Sequence, residues 1–203
     1  MASFDIHLAI AKRYVEKNSV CDTQSFYKGT VEPDLADCKR NSHYSGNRDN
    51  SNLISSLENK VILKNYLLEN TIDTYYDKGV FLHLITDFLF FNSFFGKKYL
   101  NTVNYDEFCN DLYYSYETIS NYLEDKYLIS SLITDEFILS KINEVINRSN
   151  KKINGVNKNN ILPYLKLDRF IEFVSGINLY EYRDEILNSD ISILPKKIET
   201  YKL

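Results

Sequence analysis

The sequence has few residues that interrupt helices. It contains six glycines, three prolines and no tryptophan in 203 residues. Because glycine and proline are the usual helix breakers, their scarcity predicts long helices. Hydrophobic residues make up 44% of the chain and charged residues 26%, which is typical of globular proteins and not of disordered chains. A chain of this length can bury a core without disulfides or an obligatory partner, so we expect one domain.

The chain also has little cysteine and no excess of positive charge. Its three cysteines, Cys21, Cys38 and Cys109, form neither an even disulfide set nor a CxxC pair, and the opening MASFDIHLAIAKRY does not resemble an export signal. Both features predict a cytoplasmic protein, in which thiols stay reduced. The formal charge of −4 indicates no basic surface for a phosphate backbone, so nucleic acid is not an expected partner.

Hydrophobic periodicity predicts an all-α fold, a single-domain helical bundle over residues 1–203. No stretch alternates long enough to predict a sheet. Apolar residues at helical spacing predict a first helix from Phe4 to Lys17, and a helix over 71–99 is apolar on nearly every face in its middle, so we expect it at the centre. Other helices are expected at 53–68, 105–125, 133–149, 161–175 and 178–188.

A shorter helix and a long loop are expected between these elements. A helix starting at residue 22 or 23 is predicted to end near Gly29. Because the residue before a proline avoids the α region, Asp34, which follows Pro33, is expected on a loop. Residues 35–52 are rich in Asn, Ser and Asp, which predicts a long irregular loop.

The most apolar stretch, Val80–Phe95, is too short and too polar to predict a transmembrane segment. It contains His83, Asp87, Asn92 and Ser93. A membrane-spanning helix needs about 20 predominantly apolar residues. We therefore interpret this stretch as a buried core helix.

All three histidines lie in the first 83 residues, and His83 is followed by Asp87 in the sequence HLITD. Four residues apart on a helix, these two side chains lie on one face and can hold one ion. A buried carboxylate is unfavourable unless its charge is compensated, and a metal would compensate it. The alternative is that the pair simply hydrogen-bonds within the core.

Three further residues complete a candidate metal site. His7 lies on the face of the first helix that is expected to be buried, while Asp34 and His43 are expected on irregular backbone, where functional side chains are common. Taken singly, each has a simpler explanation as a core histidine, a turn aspartate or a surface histidine. Together, histidine and aspartate ligands suit zinc, iron or manganese, and a tetrahedral shell would be filled by Asp34, His43, His83 and Asp87.

A fifth ligand indicates a second ion. His7 would bind it and share Asp87 as a bridge, as in two-metal hydrolytic sites. The candidate ligands fall in roughly residues 1–100, which leaves accessory helices over roughly 104–203.

Four motifs, FDIHLAIAKRYVEKN, FYKGTVEPDLAD, NSHYSG and KGVFLHLITDFLF, follow one another in this order. Together they resemble the bacterial zinc-dependent phospholipase C family over roughly residues 4–95. The resemblance implies an all-helical metalloenzyme that hydrolyses a small-molecule or lipid phosphodiester with one or two zinc ions. It implies a first zinc site formed by Asp34, His43, His83 and Asp87, and a neighbouring one to which His7 and Asp87 contribute.

The chain departs from that family in its later ligands. It has no tryptophan, no histidine after His83, and Asn92 and Ser93 where the family often has another histidine. It therefore resembles a reduced, cytoplasmic relative. Asp34, a carboxylate at the edge of the metal shell, is the candidate general base.

Two other functions fit the same residues. A structural metal could fasten the 35–52 loop to the first and fourth helices without catalysis. Alternatively, the cluster could be a polar core network in an interaction protein. The tyrosines that would form its partner surface include Tyr113, Tyr114, Tyr116 and Tyr122.

Overall fold

The computed structural model describes residues 2–37, 42–44, 56–96, 100, 103–150 and 158–190. These residues are mainly helical and include no strand, which confirms the all-α prediction. The described α-helices are α1 (Phe4–Lys17), α2 (Thr23–Leu35), α3 (Ser56–Glu69), α4 (Tyr75–Leu89), α5 (Tyr105–Tyr127), α6 (Glu136–Asn150), α7 (Tyr164–Val174) and α8 (Leu179–Leu187). A π-helical segment, Phe90–Gly96, continues α4, and a 3-10 turn, Ile129–Ser131, follows α5.

Helix α1 has the bounds that its hydrophobic pattern predicts. The hydroxyl of Ser3 accepts a hydrogen bond from the backbone N–H of Ile6, which caps the first turn. At the other end, Asn18 is extended and its backbone N–H donates to the carbonyl oxygen of Tyr14. The buried face of α1 carries His7 among apolar neighbours, so the helix places this histidine in the interior.

Helix α2 is longer than predicted. It runs through Gly29 to Leu35, includes Pro33, and places Asp34 in its last turn. The predictions that this helix ends near Gly29 and that Asp34 lies on a loop are therefore wrong. Pro33 cannot donate the helical hydrogen bond to the carbonyl oxygen of Gly29, and the helix ends two residues after it.

Gly29 is a packing residue rather than a helix stop. A Cβ atom at Gly29 would collide with the backbone carbonyl oxygen of Tyr76. A Cβ atom at Gly79 would collide with the carbonyl oxygen of Phe26 and lie 2.9 Å from the backbone nitrogen of Thr30. The two glycines therefore let the backbones of α2 and α4 approach closely, which brings the second half of α2 beside the middle of α4.

Helix α4 lies at the centre of the described helices. A capping box sets its start, because the Thr74 hydroxyl accepts from the backbone N–H of Asp77 while the Asp77 carboxylate accepts from the backbone N–H of Thr74. With the π segment it forms a stretch, Tyr75–Gly96, that is long and apolar enough to cross a membrane, although 72% of its most apolar window is buried inside the protein. It contacts α1, α2, α3, α7 and α8, as expected for a core helix.

The four helices after residue 104 agree with the predicted stretches to within a few residues. Their starts follow sequence signals: the Asn104 side chain caps α5, Pro163 precedes α7, and the Asn178 side chain caps α8. Helices α5 and α7 both pack against α1. Most of the predicted 35–52 loop lies outside the described residues, but 42–44 are described and include His43.

Candidate metal centre

The five predicted ligands come together at one point in the interior. Helix α1 contributes His7, the last turn of α2 contributes Asp34, and α4 contributes His83 and Asp87, while His43 comes from the short segment before α3. His7 and His83 are fully buried, and Asp34 and His43 are 3% and 7% exposed. The side chains form two groups whose ligand atoms lie within 4.8 Å of one another, His7 with His83 and Asp87, and Asp34 with His43 and His83.

One nitrogen of His43 lies close to a possible ligand atom of each of three other side chains. Nε2 of His43 lies 3.1 Å from Nε2 of His83 and 3.6 Å from Oδ1 of Asp34. Oδ2 of Asp87 lies 3.5 Å from the first of these nitrogens and 3.6 Å from the second. Zinc bonds of about 2.0–2.1 Å in a tetrahedron place neighbouring ligand atoms about 3.3 Å apart. The mutual separations of the His43, His83 and Asp87 atoms are close to this value, so these three could share one zinc-sized ion, with Asp34 beside His43.

The surroundings of His83 determine which of its two ring nitrogens carries the proton. Nδ1 lies 2.8 Å from the backbone carbonyl oxygen of Thr30. Because a carbonyl oxygen can only accept, Nδ1 carries the proton and donates it. Burial, reinforced by the neighbouring His7, lowers the pKa of His83 to about 3. The ring is therefore neutral at pH 7, and its lone pair is on Nε2, which faces the centre.

His43 is oriented in the same way through a serine. The Ser42 hydroxyl donates to the carbonyl oxygen of Pro33 at 2.7 Å and lies 3.0 Å from Nδ1 of His43. Since the hydroxyl has a single proton, Nδ1 is the donor in the second contact, and a neutral ring carries its lone pair on Nε2. The next residue, Tyr44, has a left-handed φ of 52° and accepts a hydrogen bond from the Asn70 side chain at 3.1 Å. Both neighbours of His43 thus fasten it to the helices.

Two nitrogen lone pairs and two carboxylates therefore face one another at the centre. The Nε2 atoms of His43 and His83 point at each other at 3.1 Å, beside the carboxylates of Asp34 and Asp87. Lone pairs and negative charges at these distances repel one another, and a cation among them reverses the sign of the interaction. A histidine that donates its outer nitrogen to a carbonyl or hydroxyl oxygen is also the usual arrangement of a metal-ligating histidine.

Asp87 is the carboxylate shared by both groups. Its Oδ1 accepts a hydrogen bond from the backbone N–H of Ala2 at 2.7 Å and lies 3.4 Å from Nε2 of His7. Its Oδ2 has no hydrogen-bond partner among the described residues. Burial alone would raise the pKa of Asp87, but the positive charge at the N-terminus of the chain outweighs this effect and helps to lower that pKa well below its usual value. The group is therefore an anion with its two oxygens facing different histidines.

His7 is a buried histidine without hydrogen bonds in the described part of the chain. Its ring stacks on that of His83, with centroids 3.9 Å apart and planes at 11°. Neither ring nitrogen has a hydrogen-bond partner there, which is rare for a buried polar group. Because the single lone pair of His83 can bind one ion only, a second ion would use His7 and Oδ1 of Asp87 instead.

A cavity of about 510 Å³ lies behind the centre rather than in it. Pro33 and Ser42, each next to a candidate ligand, contribute to its lining, together with the rings of Tyr44, Tyr66 and Tyr76. None of the five ligand side chains lines it. This cavity therefore does not provide direct access to the centre.

Sequence reasoning missed the groups that orient the ligands. The carbonyl oxygen of Thr30, the hydroxyl of Ser42 and the backbone N–H of Ala2 each hold one ligand. Two of these are backbone groups, which any residue type would supply, so no sequence pattern could indicate them. Ser42 is adjacent to His43, and its hydroxyl was the only available signal among the three.

The donor set of the centre consists of three imidazoles and two carboxylates, without cysteine. Such nitrogen and oxygen ligands suit zinc, iron or manganese, and the geometry above fits them. Comparisons of the chain with protein-family models, with curated proteins and with solved structures found no match.

Proposed function

We propose that the protein is a metal-dependent hydrolase that cleaves a phosphodiester, with zinc as the preferred ion. The observation that carries this proposal is a buried group of four possible ligand atoms, three of which lie 3.1–3.6 Å from one another. These atoms are Nε2 of His43, Nε2 of His83, Oδ1 of Asp34 and Oδ2 of Asp87. Iron and manganese accept the same ligands, so the bound ion has to be identified by experiment.

A second position next to the first favours catalysis over a purely structural role. Among the described residues, His7 and Oδ1 of Asp87 are the two groups available to an ion there. Catalytic sites keep coordination positions open, whereas structural zinc sites are closed by four protein ligands. Divalent ions at such a site supply a Lewis acid for a phosphoryl oxygen and for an attacking water.

Asp34 is the proposed general base. It lies in the last turn of α2 at the edge of the cluster, with Oδ1 3.6 Å from Nε2 of His43. Its carboxylate can accept a proton from the attacking water, while the Nδ1 atoms of His43 and His83 are held by Ser42 and Thr30. The order of the motifs supports a phospholipase C-like reaction, on a small-molecule or lipid phosphodiester.

A structural metal site is the second candidate, and burial favours it. Both His7 and His83 are fully enclosed, and the Asp87 side chain is 14% exposed. A closed site would join α1, α2 and α4 without any turnover, and the free energy of metal binding would add to the stability of the fold.

Hydrolysis of a chromogenic phosphodiester distinguishes the two candidates. Zinc-loaded protein is expected to cleave bis(p-nitrophenyl) phosphate, chelated protein is not, and Asp34→Asn is expected to retain much of its zinc while losing activity. Asp37→Asn is the matched control, since Asp37 is an exposed carboxylate three residues further on. Zinc binding without cleavage of this or any other phosphodiester would favour the structural site, and full activity in Asp34→Asn would remove Asp34 as the base.

A further inference from the structure

The cavity of about 510 Å³ behind the metal centre has the features of a separate binding site. It is surrounded by the end of α2, the segment 42–44, the end of α3, the start of α4 and the first turns of α6. Its volume lies within the range of about 300–1,000 Å³ that is typical of small-molecule pockets. Because none of the five candidate metal ligands lines it, a molecule bound here would not contact the metal centre.

The charged side chains around the cavity are mainly acidic. Three carboxylates, Glu32, Asp37 and Asp77, line it, and among the described residues Lys141 is the one cation that does so. The Lys141 ammonium group also lies 3.8 Å from the carboxylate of Glu144. A lining with this balance of charge favours a cationic ligand and disfavours an anion.

Two tyrosine hydroxyls at the cavity donate their protons to the protein itself. The Tyr76 hydroxyl donates to Oε2 of Glu32 at 2.5 Å, and the Tyr66 hydroxyl donates to the backbone carbonyl oxygen of Asp77 at 3.1 Å. A hydroxyl group has one proton, so each of these two can only accept a further hydrogen bond. An ionised carboxylate is also an acceptor without a proton to donate.

Asn70 and Ser42 donate their side-chain protons in the same way. The amide nitrogen of Asn70 donates to the Tyr44 hydroxyl at 3.1 Å and to the carbonyl oxygen of Tyr66 at 3.0 Å. The Ser42 hydroxyl donates to the carbonyl oxygen of Pro33 at 2.7 Å. Of the uncharged polar side chains described around the cavity, Tyr44 is thus the one that keeps a proton for a ligand. The lining therefore presents mainly hydrogen-bond acceptors, which suit a ligand that brings several donors.

The rest of the lining is aromatic and apolar. It includes the rings of Tyr44, Tyr66 and Tyr76, and the first two meet edge-on with centroids 5.1 Å apart. The Phe137 side chain, also in the lining, is 68% exposed, so a bound molecule could remove part of it from water. Aromatic rings attract cations at their faces and pack against apolar groups.

We propose that this cavity binds a small primary amine in its protonated form. The ammonium group donates hydrogen bonds to Glu32, and the apolar body of the amine packs against the tyrosine rings and Phe137. Glu32 is the central partner because the Asp77 carboxylate already caps α4 and Asp37 is exposed. A quaternary ammonium ion would suit the charge but has no N–H group for the acceptors. The proposal does not rest on the proposed function, because the cavity and the metal centre share no ligand.

Isothermal titration calorimetry with 2-phenylethylamine as the probe tests the ligand class. The comparison compounds are 2-phenylethanol, which lacks the charge, phenylacetate, which is an anion, and trimethyl(2-phenylethyl)ammonium, which lacks N–H groups. Because hydrogen bonds to a charged group are the stronger ones, we expect the amine to bind about 10- to 100-fold more tightly than each of the others. No detectable binding of the amine, or an equal or higher affinity for any comparison compound, would overturn the proposal.

Two variants test the location of the amine. Glu32→Gln keeps the shape of the side chain and removes its charge, so we expect the affinity for 2-phenylethylamine to fall about 10- to 100-fold. Its matched control is Glu117→Gln, since Glu117 is an exposed glutamate on α5 outside the lining. Ala36→Phe places a large side chain in the lining and should abolish binding, which keeps the test decisive if Glu32→Gln does not fold. Wild-type affinity in a folded Glu32→Gln or Ala36→Phe protein would overturn the proposal.

A chelator separates this site from the metal centre. An amine can also bind a metal ion, so the titration is made on the protein as purified and again with chelator present. We expect the same affinity for 2-phenylethylamine in both. Loss of binding with chelator would place the amine on the metal and overturn the proposal. A protein that binds the amine but holds no metal would contradict the proposed function and leave this site standing.

Discussion

Replacing Ser42 by alanine tests how far the orientation of His43 depends on its neighbour. The Ser42 hydroxyl joins Nδ1 of His43 to the carbonyl oxygen of Pro33, through contacts of 3.0 and 2.7 Å. Without it, the ring can rotate or carry its proton on Nε2, where the proton would compete with the ion. Removal of such an outer partner typically lowers metal affinity by about 10- to 100-fold, which corresponds to about 1.4–2.7 kcal/mol.

A competition titration with a zinc-binding dye measures this change directly. The control is Ser131→Ala, because the Ser131 hydroxyl also donates to a backbone carbonyl, that of Leu128 at 2.8 Å, but it is exposed. We expect zinc affinity to fall in Ser42→Ala and to stay unchanged in Ser131→Ala. Equal affinities for wild type and Ser42→Ala would refute the reasoning that the hydrogen bond to Nδ1 sets the donor nitrogen of His43.

Two further predictions concern the scaffold and its pH dependence. Gly79→Ala should destabilise the protein by about 3 kcal/mol in denaturant unfolding, since a Cβ there collides with Phe26, whereas Gly176→Ala, whose Cβ would have no neighbour closer than 3.5 Å, should stay near wild type. Equal stabilities of the two variants would contradict the close approach of α2 and α4. The folded-state pKa of His83 is lowered to about 3, so in chelated protein the unfolded state alone takes up this proton below pH 6.5. The unfolding free energy should then fall by roughly 1 kcal/mol per pH unit from pH 6.5 to 4.5, and His83→Gln should lack this slope.

Local signals in the sequence predicted the helices well. The bounds of α1 follow from its apolar spacing and from the residues at its ends, Ser3 and Asn18. His83 and Asp87 were predicted to share a face because four residues make about one helical turn, and the structure places their side chains 3.6 Å apart. These features depend on a few neighbouring residues, which the sequence displays directly.

Features that depend on contacts between helices could not be predicted. Gly29 has the appearance of a helix stop, and only the approach of Tyr76 from α4 explains why a glycine is needed inside α2. The prediction that Asp34 lies on a loop was wrong for another reason, because α2 includes Pro33. Similarly, Thr30 and His83 are 53 positions apart in the sequence. The carbonyl oxygen of Thr30 contacts His83 only because α2 and α4 pack closely.

The metal content of the purified protein tests the central claim most directly. Untagged protein prepared without chelator would be analysed by plasma mass spectrometry for wild type, His43→Ala and the exposed control Asp37→Asn. We expect at least one zinc, iron or manganese ion per chain in wild type and in Asp37→Asn, and a strong reduction in His43→Ala. Negligible metal in the wild type that added metal does not restore would contradict the account, because His7, His43, His83 and the two aspartates would then form only a polar core.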